Sequence, residues 1–419
     1  MKPSGKRLLL GMVIAAGILN YADRQIIAVL KPIMQVDLHW TDQDYGNLTA
    51  IFQFSAAIAL LFAGRLVDRI GWRRANPLAV GAWSLAAMAH AVARGGLQFG
   101  AARLALGATE AMATPTALKS LTAAYPVSER GLALGVMNAA NSIGAILTPL
   151  VIPLLALRFG WRNSFLVTGG LGLIWVLAWS LLQPGALIVD DTTSDQPTSP
   201  TVSWRTVFGD RRTWAITGAK LFSDQVWWLL LFWTPDLLHR IFHLGLSELG
   251  LPLAVIYCGA ALGAVVAGYV SNQVLKRGVS LNRTRKLGLL ILSLATLPLA
   301  LAPFAPNVAW ATAILALTVA AHQGYSTNIF ALCTEIIPKD RVATVISFSA
   351  FCGNLAGMLI LQAAGRVLGA GLGYGPLLAY GSLCYLIGLA LVQLLVPRLD
   401  AAERDADSTA LSRLNAAPH

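Results

Sequence analysis

The chain has 419 residues, of which 56% are hydrophobic and only 12% are charged. Ordinary globular proteins are about one quarter charged, so this composition excludes a soluble enzyme, a disordered chain and a disulfide scaffold. It predicts a polytopic membrane protein. The four cysteines are isolated within apolar stretches, and no HExxH, GxxxxGK[ST] or GxSxG motif occurs. We therefore expect no disulfides, no metal, no cofactor and no enzymatic activity.

Twelve apolar stretches follow one another, each about the 20 residues that a helix needs to cross a bilayer. A polar segment rich in Ser, Thr and Pro follows the sixth. We predict an all-α membrane protein with a six-helix bundle at 1–183, a cytoplasmic linker at 184–212, a second six-helix bundle at 213–397 and a cytoplasmic tail at 398–419. The stretches lie at roughly 8–30, 45–65, 76–94, 97–119, 131–156, 163–183, 213–238, 247–273, 286–303, 307–332, 342–365 and 374–396.

The net charge of +11 has an uneven distribution along this predicted topology. Of the 31 basic residues, 22 fall at the termini and on the loops of one side, six fall on the other side, and three lie within spans. Basic residues concentrate on cytoplasmic loops, so we expect both termini in the cytoplasm and a multi-pass protein of a bacterial inner membrane. This distribution explains the positive charge without a nucleic-acid partner.

The two halves of the chain share spaced features that indicate an internal repeat. Gly46 and Gly64 bracket the second stretch, and Gly250 and Gly268 bracket the eighth, each 204 residues later. Parallel repeats of six spans are typical of alternating-access carriers, which bind their substrate near the membrane midplane between the halves.

The loop after the second stretch, residues 64–74, has the sequence GRLVDRIGWRR. This segment resembles the loop signature of the major facilitator superfamily. The resemblance implies that an acid, here Asp68, pairs across the cytoplasmic gate, and that basic residues, here Arg69 and Arg73, hold the loop. Arg130, in the corresponding later loop, is our candidate partner for Asp68.

Further segments resemble a narrower group, the anion:cation symporter family. Residues 20–25 resemble its NYxDR run, and Arg103 and Glu110 match its arginine and glutamate. Three segments resemble the hexuronate-transporter branch: 223–238, 282–286 and 321–330. The resemblance implies proton-coupled uptake of a sugar acid such as glucuronate or galacturonate, with the acids at Asp23 and Glu110 coupled to protons.

Charged residues inside membrane spans are costly and usually functional. By position, Arg24 in the first span and Arg103 in the fourth lie at about the same depth, which predicts a site for an anionic substrate. Arginine binds a carboxylate by two parallel hydrogen bonds. In the alternative interpretation, the acids Asp23 and Glu110 merely neutralise these arginines.

Glu110 follows Arg103 by two helical turns, so both share one helix face with Gly107, which we expect to be open. Desolvation favours the neutral form of a carboxylic acid, and a neighbouring guanidinium favours its charged form. An acid that moves between these conditions takes up and releases a proton. We therefore assign proton coupling to Asp23 and Glu110.

The second half offers further candidates. Lys220 and Asp224 are one turn apart, so they either neutralise each other or present Lys220 to the sugar acid. The candidate substrate-binding residues besides the two arginines are Tyr21, Lys220, Trp228, His322, Gln323, Asn328 and Asn354. Trp228 suits stacking on a sugar ring but also membrane packing. The buried amides suit substrate hydroxyls but also bridges between helices.

One position departs from the resemblance: relatives often carry a tyrosine where this chain has Ala56. The predicted partners are an anionic small molecule, H+ and the lipid bilayer, and the predicted carrier is a monomer. The alternatives are a carrier of another organic anion, such as an aldonate, an aldarate or an aromatic acid, and a drug/proton antiporter. Paired arginines argue against a hydrophobic cation as the substrate.

Overall fold

The structure is a computed structural model that describes residues 3–182, 203–338 and 340–399. Within these ranges every regular element is a helix, and no strand occurs. The all-α prediction is therefore confirmed. Most of the predicted linker and tail lies outside the described residues, but the linker's end forms a short helix at Trp204–Gly209.

The described residues form fourteen α-helices and one 3₁₀ segment. The first half comprises α1 to α7, and α9 to α14 form the second half. The bounds are α1 Pro3–Asp37, α2 Asp42–Ile70, α3 Trp72–Val92, α4 Gly96–Glu110, α5 Ala113–Ala124, α6 Val127–Phe159, α7 Trp161–Leu182, α8 Trp204–Gly209, α9 Arg211–Phe242, α10 Gly250–Lys276, α11 Leu281–Thr296, the 3₁₀ segment Leu297–Phe304, α12 Val308–Ile336, α13 Val342–Gly369 and α14 Gly375–Leu395.

These elements form twelve rods, since α4 continues into α5, α11 continues into the 3₁₀ segment, and α8 is too short to cross a bilayer. Eight helical segments in the described ranges are long and apolar enough to cross a membrane by length and composition. The other four are α3, α4–α5, α9 and α12. Among them, α9 buries Asp224 and Asp236, which lower its apolar character.

The predicted continuous span at 97–119 is wrong at one point, because the helix breaks between α4 and α5. Pro115 lies in the first turn of α5. Proline has no backbone N–H, so it cannot bond to the carbonyl of Ala111 and continue the helix. Glu110 is the last residue of α4 as a result.

The two membrane faces can be named from their connections. We call the side of the α1–α2 connection (38–41) the first-loop face and the side of the α2–α3 turn at Gly71 the second-loop face. The first helix extends to Asp37, beyond the predicted span at 8–30. Lys31, which follows the predicted span directly, therefore lies inside α1 and is fully buried.

Repeat-related glycines make matching contacts between the halves. An added Cβ on Gly46 of α2 would lie 2.8 Å from the Leu361 carbonyl oxygen of α13, and one on Gly250 of α10 would lie 2.9 Å from the Pro149 oxygen of α6. The second span thus packs on the eleventh, and the eighth packs on the fifth. These equivalent contacts lie near the first-loop face, since α2 and α10 both start there.

Paired glycines four residues apart also bring neighbouring helices together. An added Cβ would lie 2.7 Å from the Ala316 oxygen at Gly259 and 2.1 Å from the Ala320 oxygen at Gly263, so α10 contacts the backbone of α12. The same spacing in α13 packs against α9. By contrast, nothing lies within 4 Å of an added Cβ on Gly135.

We expect Gly263→Ala to destabilise the protein by about 1–3 kcal/mol, because its methyl group would overlap a backbone oxygen that cannot rotate away. Gly268→Ala in the same helix is the matched control, since its nearest neighbour is a Thr327 methyl at 3.8 Å. Thermal unfolding of both purified variants in detergent checks this. Equal melting temperatures for the two would contradict the close α10–α12 contact.

Candidate functional site

An ion pair between α1 and α4 forms the centre of the candidate site. The Nε and Nη2 atoms of Arg24 donate to Glu110 Oε2 at 3.0 and 2.9 Å. Nη2 also lies 3.4 Å from Asn20 Oδ1. The Glu110 side chain is fully buried, whereas 17% of the Arg24 side chain is exposed. The helix break after Glu110 thus lies beside this pair, which joins two residues that sequence analysis named as site candidates without pairing them.

Three aromatic rings surround the Arg24 guanidinium. Its carbon atom lies 5.2 Å from the centroid of Tyr21, 5.6 Å from Phe52 and 5.6 Å from Trp228. These distances allow cation–π attraction. Trp228 belongs to α9 of the second half, and the other two rings belong to the first half. Arg24 therefore lies where the two halves meet.

The second predicted arginine, Arg103, is fully buried. Its guanidinium lies 5.6 Å from the Phe52 ring centroid, so both arginines contact the same ring. None of its nitrogens makes a hydrogen bond with the described residues. Asp23 and Glu110 lie close enough to interact electrostatically with its positive charge. Arg103 thus shares the Arg24 neighbourhood but does not line the cavity next to it.

Asp23 is 1% exposed. Its carboxylate lies beside Thr168 of α7, but neither oxygen makes a hydrogen bond of normal geometry with the described residues. Together with Arg24, Arg103 and Glu110, it forms a group of two cations and two anions. This group is electrically balanced, which lowers the cost of its burial.

The prediction of an open face at Gly107 is wrong. An added Cβ there would lie 2.2 Å from Ser55 Oγ and 2.3 Å from the Phe52 carbonyl oxygen, so α2 packs directly on this glycine. The close approach brings the Phe52 side chain between the elements that carry the two arginines.

A cavity of about 120 Å³ adjoins the ion pair within the first half. Residues of α1, α3, α4, α5 and α6 line it, and they include Tyr21, Arg24 and Glu110. Asn20, Asn76 and Asn141 add amide groups to the same wall. The cavity therefore combines a cation, a carboxylate and neutral hydrogen-bonding groups, which is the chemistry needed to bind a polyhydroxylated anion.

In the second half, Lys220 pairs with Asp224 at 2.9 Å. Asp224 packs against Gly353 of α13, and the Lys220 Nζ lies 5.1 Å from the Phe330 ring centroid. In this conformation the pair is mutually neutralised, which matches the first of the two sequence interpretations.

His322 lies in an aromatic cluster. Its ring stacks on Trp227 with centroids 5.1 Å apart, and its Nδ1 lies 3.0 Å from the Tyr385 hydroxyl. The neighbouring Trp228 is 8% exposed, and its Nε1–H has no partner among the described residues. Of these rings, only that of Trp228 contacts the Arg24 guanidinium among the described residues.

The predicted amides are dispersed. Asn328 accepts a hydrogen bond from Arg285 at 3.1 Å, and Arg285 also pairs with Glu335, so Asn328 belongs to a separate polar group. Asn354 donates to the Ala350 carbonyl of its own helix. Gln323 is half-buried in α12.

The predicted gate residues lie on the second-loop face. Asp68 pairs with Lys119 at 2.6 Å rather than with Arg130. Arg130 instead donates to the carbonyls of Thr122 and Tyr125 at the end of α5. Arg69 is exposed, and Arg73 lies over the ring of Trp72 at 5.4 Å. The Asp68–Arg130 pairing that we expected is thus not formed in this conformation.

Sequence reasoning missed two features. It did not include Phe52 among the candidate site residues, although the ring contacts both arginines. It also missed a largely buried charge cluster of Lys31, Asp42, Asp236 and Arg240 near the first-loop face, of which only Arg240 is exposed. The sequence did contain a signal for this cluster. Its charges lie near the ends of apolar stretches, and the apolar pattern continues beyond them.

Comparison with known proteins agrees with this arrangement. The sequence profile of the Major Facilitator Superfamily matches residues 13–361. The chain belongs to the Major Facilitator Superfamily. The crystal structure of a bacterial homologue of the human lysosomal transporter Spinster, inward-facing and unoccupied, superposes with a TM-score of 0.71 at 21% identity, covering 98% of each chain. The major facilitator fold of two six-helix halves is thereby confirmed.

Two curated relatives in this superfamily are transporters of Escherichia coli K12. The Hexuronate transporter is 23% identical over 94% of this chain and 95% of its own length. The Probable L-galactonate transporter is 29% identical over 65% of this chain and 63% of its own length. The superfamily protein described here is therefore a multi-pass membrane protein similar to transporters of sugar acids.

A double-mutant cycle tests the Arg24–Glu110 pair. We expect Arg24→Gln and Glu110→Gln each to lower the melting temperature, because removing one partner strands a buried charge at a cost of about 3–5 kcal/mol. The double variant should lose less stability than the sum of the losses in the two single variants, since neither charge is then left buried without its partner. Additive losses, measured by thermal unfolding in detergent, would contradict a direct pair.

Proposed function

We propose that this protein is a proton-coupled symporter that imports a sugar acid by alternating access, with a hexuronate as the first candidate substrate. The observation that carries this proposal is the position of the Arg24 guanidinium. It lies beside a cavity, donates two hydrogen bonds to Glu110 and contacts Trp228 of the second half. The similarity to a hexuronate transporter supports the substrate class.

The geometry provides a way to couple an anion to a proton. Glu110 occupies two Arg24 donors, which are the donors that a substrate carboxylate needs. When Glu110 takes up a proton, its charge is lost and Arg24 becomes free to bind the substrate. Asp23 and Arg103 supply the second acid and the second cation next to this pair. Release of the substrate then favours deprotonation of Glu110 and re-formation of the pair.

Trp228 and Tyr21 extend the site toward the sugar. The indole N–H of Trp228 has no partner among the described residues, and its ring lies beside Arg24. In our proposal, Trp228 packs on the ring of the sugar acid and offers a hydrogen bond to a hydroxyl. Tyr21 offers its own hydroxyl from the cavity wall.

The orientation follows from the basic residues. The second-loop face carries most of them, so we assign it to the cytoplasm and place both termini there, in a bacterial inner membrane. The inter-half contacts of Gly46 and Gly250 then lie on the periplasmic side. Closure of that side corresponds to an inward-facing conformation, the state of the Spinster homologue.

An aldonate is the second candidate substrate, because a relative is named as a galactonate transporter. Aldonates and hexuronates share a carboxylate and a row of hydroxyls, and differ in whether the sugar closes into a ring. The lone indole donor and the flat face of Trp228 favour a ring. Uptake competition between galactonate and glucuronate distinguishes the two.

Uptake of labelled glucuronate and galacturonate into proteoliposomes tests the proposal. We expect accumulation when an inward proton gradient is imposed, loss of accumulation when the gradient is collapsed, and inhibition by unlabelled hexuronate. Protein-free liposomes are the control. Folded protein that takes up neither compound would overturn the hexuronate assignment, and inhibition by galactonate alone would favour the aldonate.

We expect Glu110→Gln to abolish gradient-driven accumulation but to retain exchange of substrate across the membrane, because glutamine cannot carry a proton yet leaves Arg24 free for the anion. The measurement compares net uptake with counterflow in the same vesicles. Loss of counterflow together with net uptake would show that Glu110 holds the site rather than the proton.

We expect Arg24→Lys to weaken substrate binding at least tenfold, because lysine cannot form the two parallel hydrogen bonds that arginine makes with a carboxylate. Arg7→Lys is the matched control, since Arg7 is an exposed arginine of the same helix. Substrate-induced thermal stabilisation of both variants reports the change. Equal stabilisation in the two would exclude Arg24 as the carboxylate ligand.

A further inference from the structure

A cluster of four charged residues, three of them buried, joins the two halves at the first-loop face. Lys31 of α1 and Asp42 of α2 come from the first half, and Asp236 and Arg240 of α9 come from the second. Lys31 is fully buried, Asp236 is 1% exposed and Asp42 is 8% exposed, whereas 35% of the Arg240 side chain is exposed. Each carboxylate contacts both cations, so the four side chains form a closed ring of ion pairs.

Two of these pairs lie within a half. Lys31 Nζ is 3.0 Å from Asp42 Oδ1, and Arg240 Nε is 2.9 Å from Asp236 Oδ2. The other two pairs cross between the halves: Lys31 Nζ is 2.5 Å from Asp236 Oδ1, and Arg240 binds Asp42. Each half therefore contributes one positive and one negative charge and is neutral by itself.

Aromatic rings surround the Lys31 end of this cluster, whereas Arg240 lies at its exposed edge. The Lys31 Nζ lies 5.1 Å from the Tyr45 ring centroid and 4.8 Å from that of Trp233. The Tyr374 hydroxyl donates to Asp236. Nearby, an added Cβ on Gly46 would lie 3.0 Å from the Gly365 Cα, so α2 and α13 are in backbone contact.

This charge distribution has a physical consequence for opening. Separating two halves that carried opposite net charges would strand buried charge on each side, which is costly. Here the cross-half pairs can break while Lys31–Asp42 and Asp236–Arg240 stay intact. The ring can therefore divide into two neutral pairs and close again.

We propose that these four residues are a reversible latch that holds the first-loop face closed and opens by dividing into its two within-half pairs. The proposal rests on the alternating-access function proposed above, and it adds residues that do not line the cavity beside Arg24 and that were not among the predicted site residues. The latch is independent of which anion is carried.

A cysteine reporter beneath the latch tests this division. Thr49 is fully buried on α2, one turn beyond Tyr45 and on the latch side of Phe52. Thr49→Cys is introduced into a chain whose four native cysteines (Cys258, Cys333, Cys352 and Cys384) are replaced by serine. Labelling by a membrane-impermeant maleimide, applied to the first-loop face of membranes, reports opening without any substrate.

The decisive variant exchanges the charges within one half. Lys31→Asp with Asp42→Lys keeps the first half neutral but places like charges across from Asp236 and Arg240. We expect at least tenfold faster labelling. Adding Asp236→Arg and Arg240→Asp restores opposite charges across the halves, and we expect labelling within threefold of the parent rate.

The control exchanges the charges of an exposed pair inside the first half on the other face, Lys6→Glu with Glu129→Lys. We expect its labelling rate to equal that of the parent. Asp236→Asn is a milder second variant that keeps the side-chain shape and removes one cross-half pair, and we expect severalfold faster labelling. All variants are first checked for monodisperse elution and a cooperative melting transition.

The proposal is overturned if the two-residue exchange and Asp236→Asn both label at the parent rate, or if the four-residue exchange labels as fast as the two-residue one. Should the two-residue exchange fail to fold, Asp236→Asn decides alone. Sugar-acid uptake with unchanged labelling would overturn the latch only. The expected labelling pattern in a chain that carries no sugar acid would overturn the proposed substrate only.

Discussion

The cost of burying charge in a low-dielectric interior is the constraint on which the rest of this structure depends. The first half buries Asp23, Arg103 and Glu110 almost completely and holds Arg24 mostly buried. Such groups persist only where opposite charges balance them. The balance does not have to be fixed in one pairing, because Arg24 and Arg103 lie near two acids, and each acid can change its charge by taking up a proton. The proposed binding of an anion and a proton at this site depends on this freedom.

The same constraint acts at a second place along the proposed pathway. The proposed latch and the candidate anion site are connected by three helices, because α1 carries Arg24 and Lys31, α2 carries Phe52 and Asp42, and α9 carries Trp228 and Asp236. These residue pairs are separated by seven to ten positions, or about 10–15 Å along a helix. A tilt of α9 relative to α1 and α2 therefore changes both sites together. This link gives a physical route by which occupancy of Arg24 can alter closure of the first-loop face.

Glycine determines where the helices can approach closely enough for this coupling. Gly46 and Gly250 place backbone against backbone at equivalent contacts between the halves, and Gly263 does so between two helices of the second half. Contacts without intervening side chains allow whole helices to rock with little repacking. Gly107 has a different effect: by admitting α2 against α4, it fixes Phe52 between the two arginines.

The sequence by itself determined the class of protein, the number of spans and the charged residues of the candidate site. Hydrophobic length is a local property, and a charge within an apolar stretch is visible without any partner, so Arg24, Arg103 and Glu110 could be predicted. Pairing is not local. That Arg24 binds Glu110, that Asp68 binds Lys119 rather than Arg130, and that Asn328 joins Arg285 depend on helix rotation and tilt, which spacing along one helix does not define. Only the tertiary structure decided that α1 continues past the predicted span and buries Lys31 among Asp42, Asp236 and Arg240. The reason is that a charge at a helix end is predicted to be solvent-exposed when only its own helix is considered. The opposite charges that allow its burial come from distant helices, which only the tertiary structure brings together.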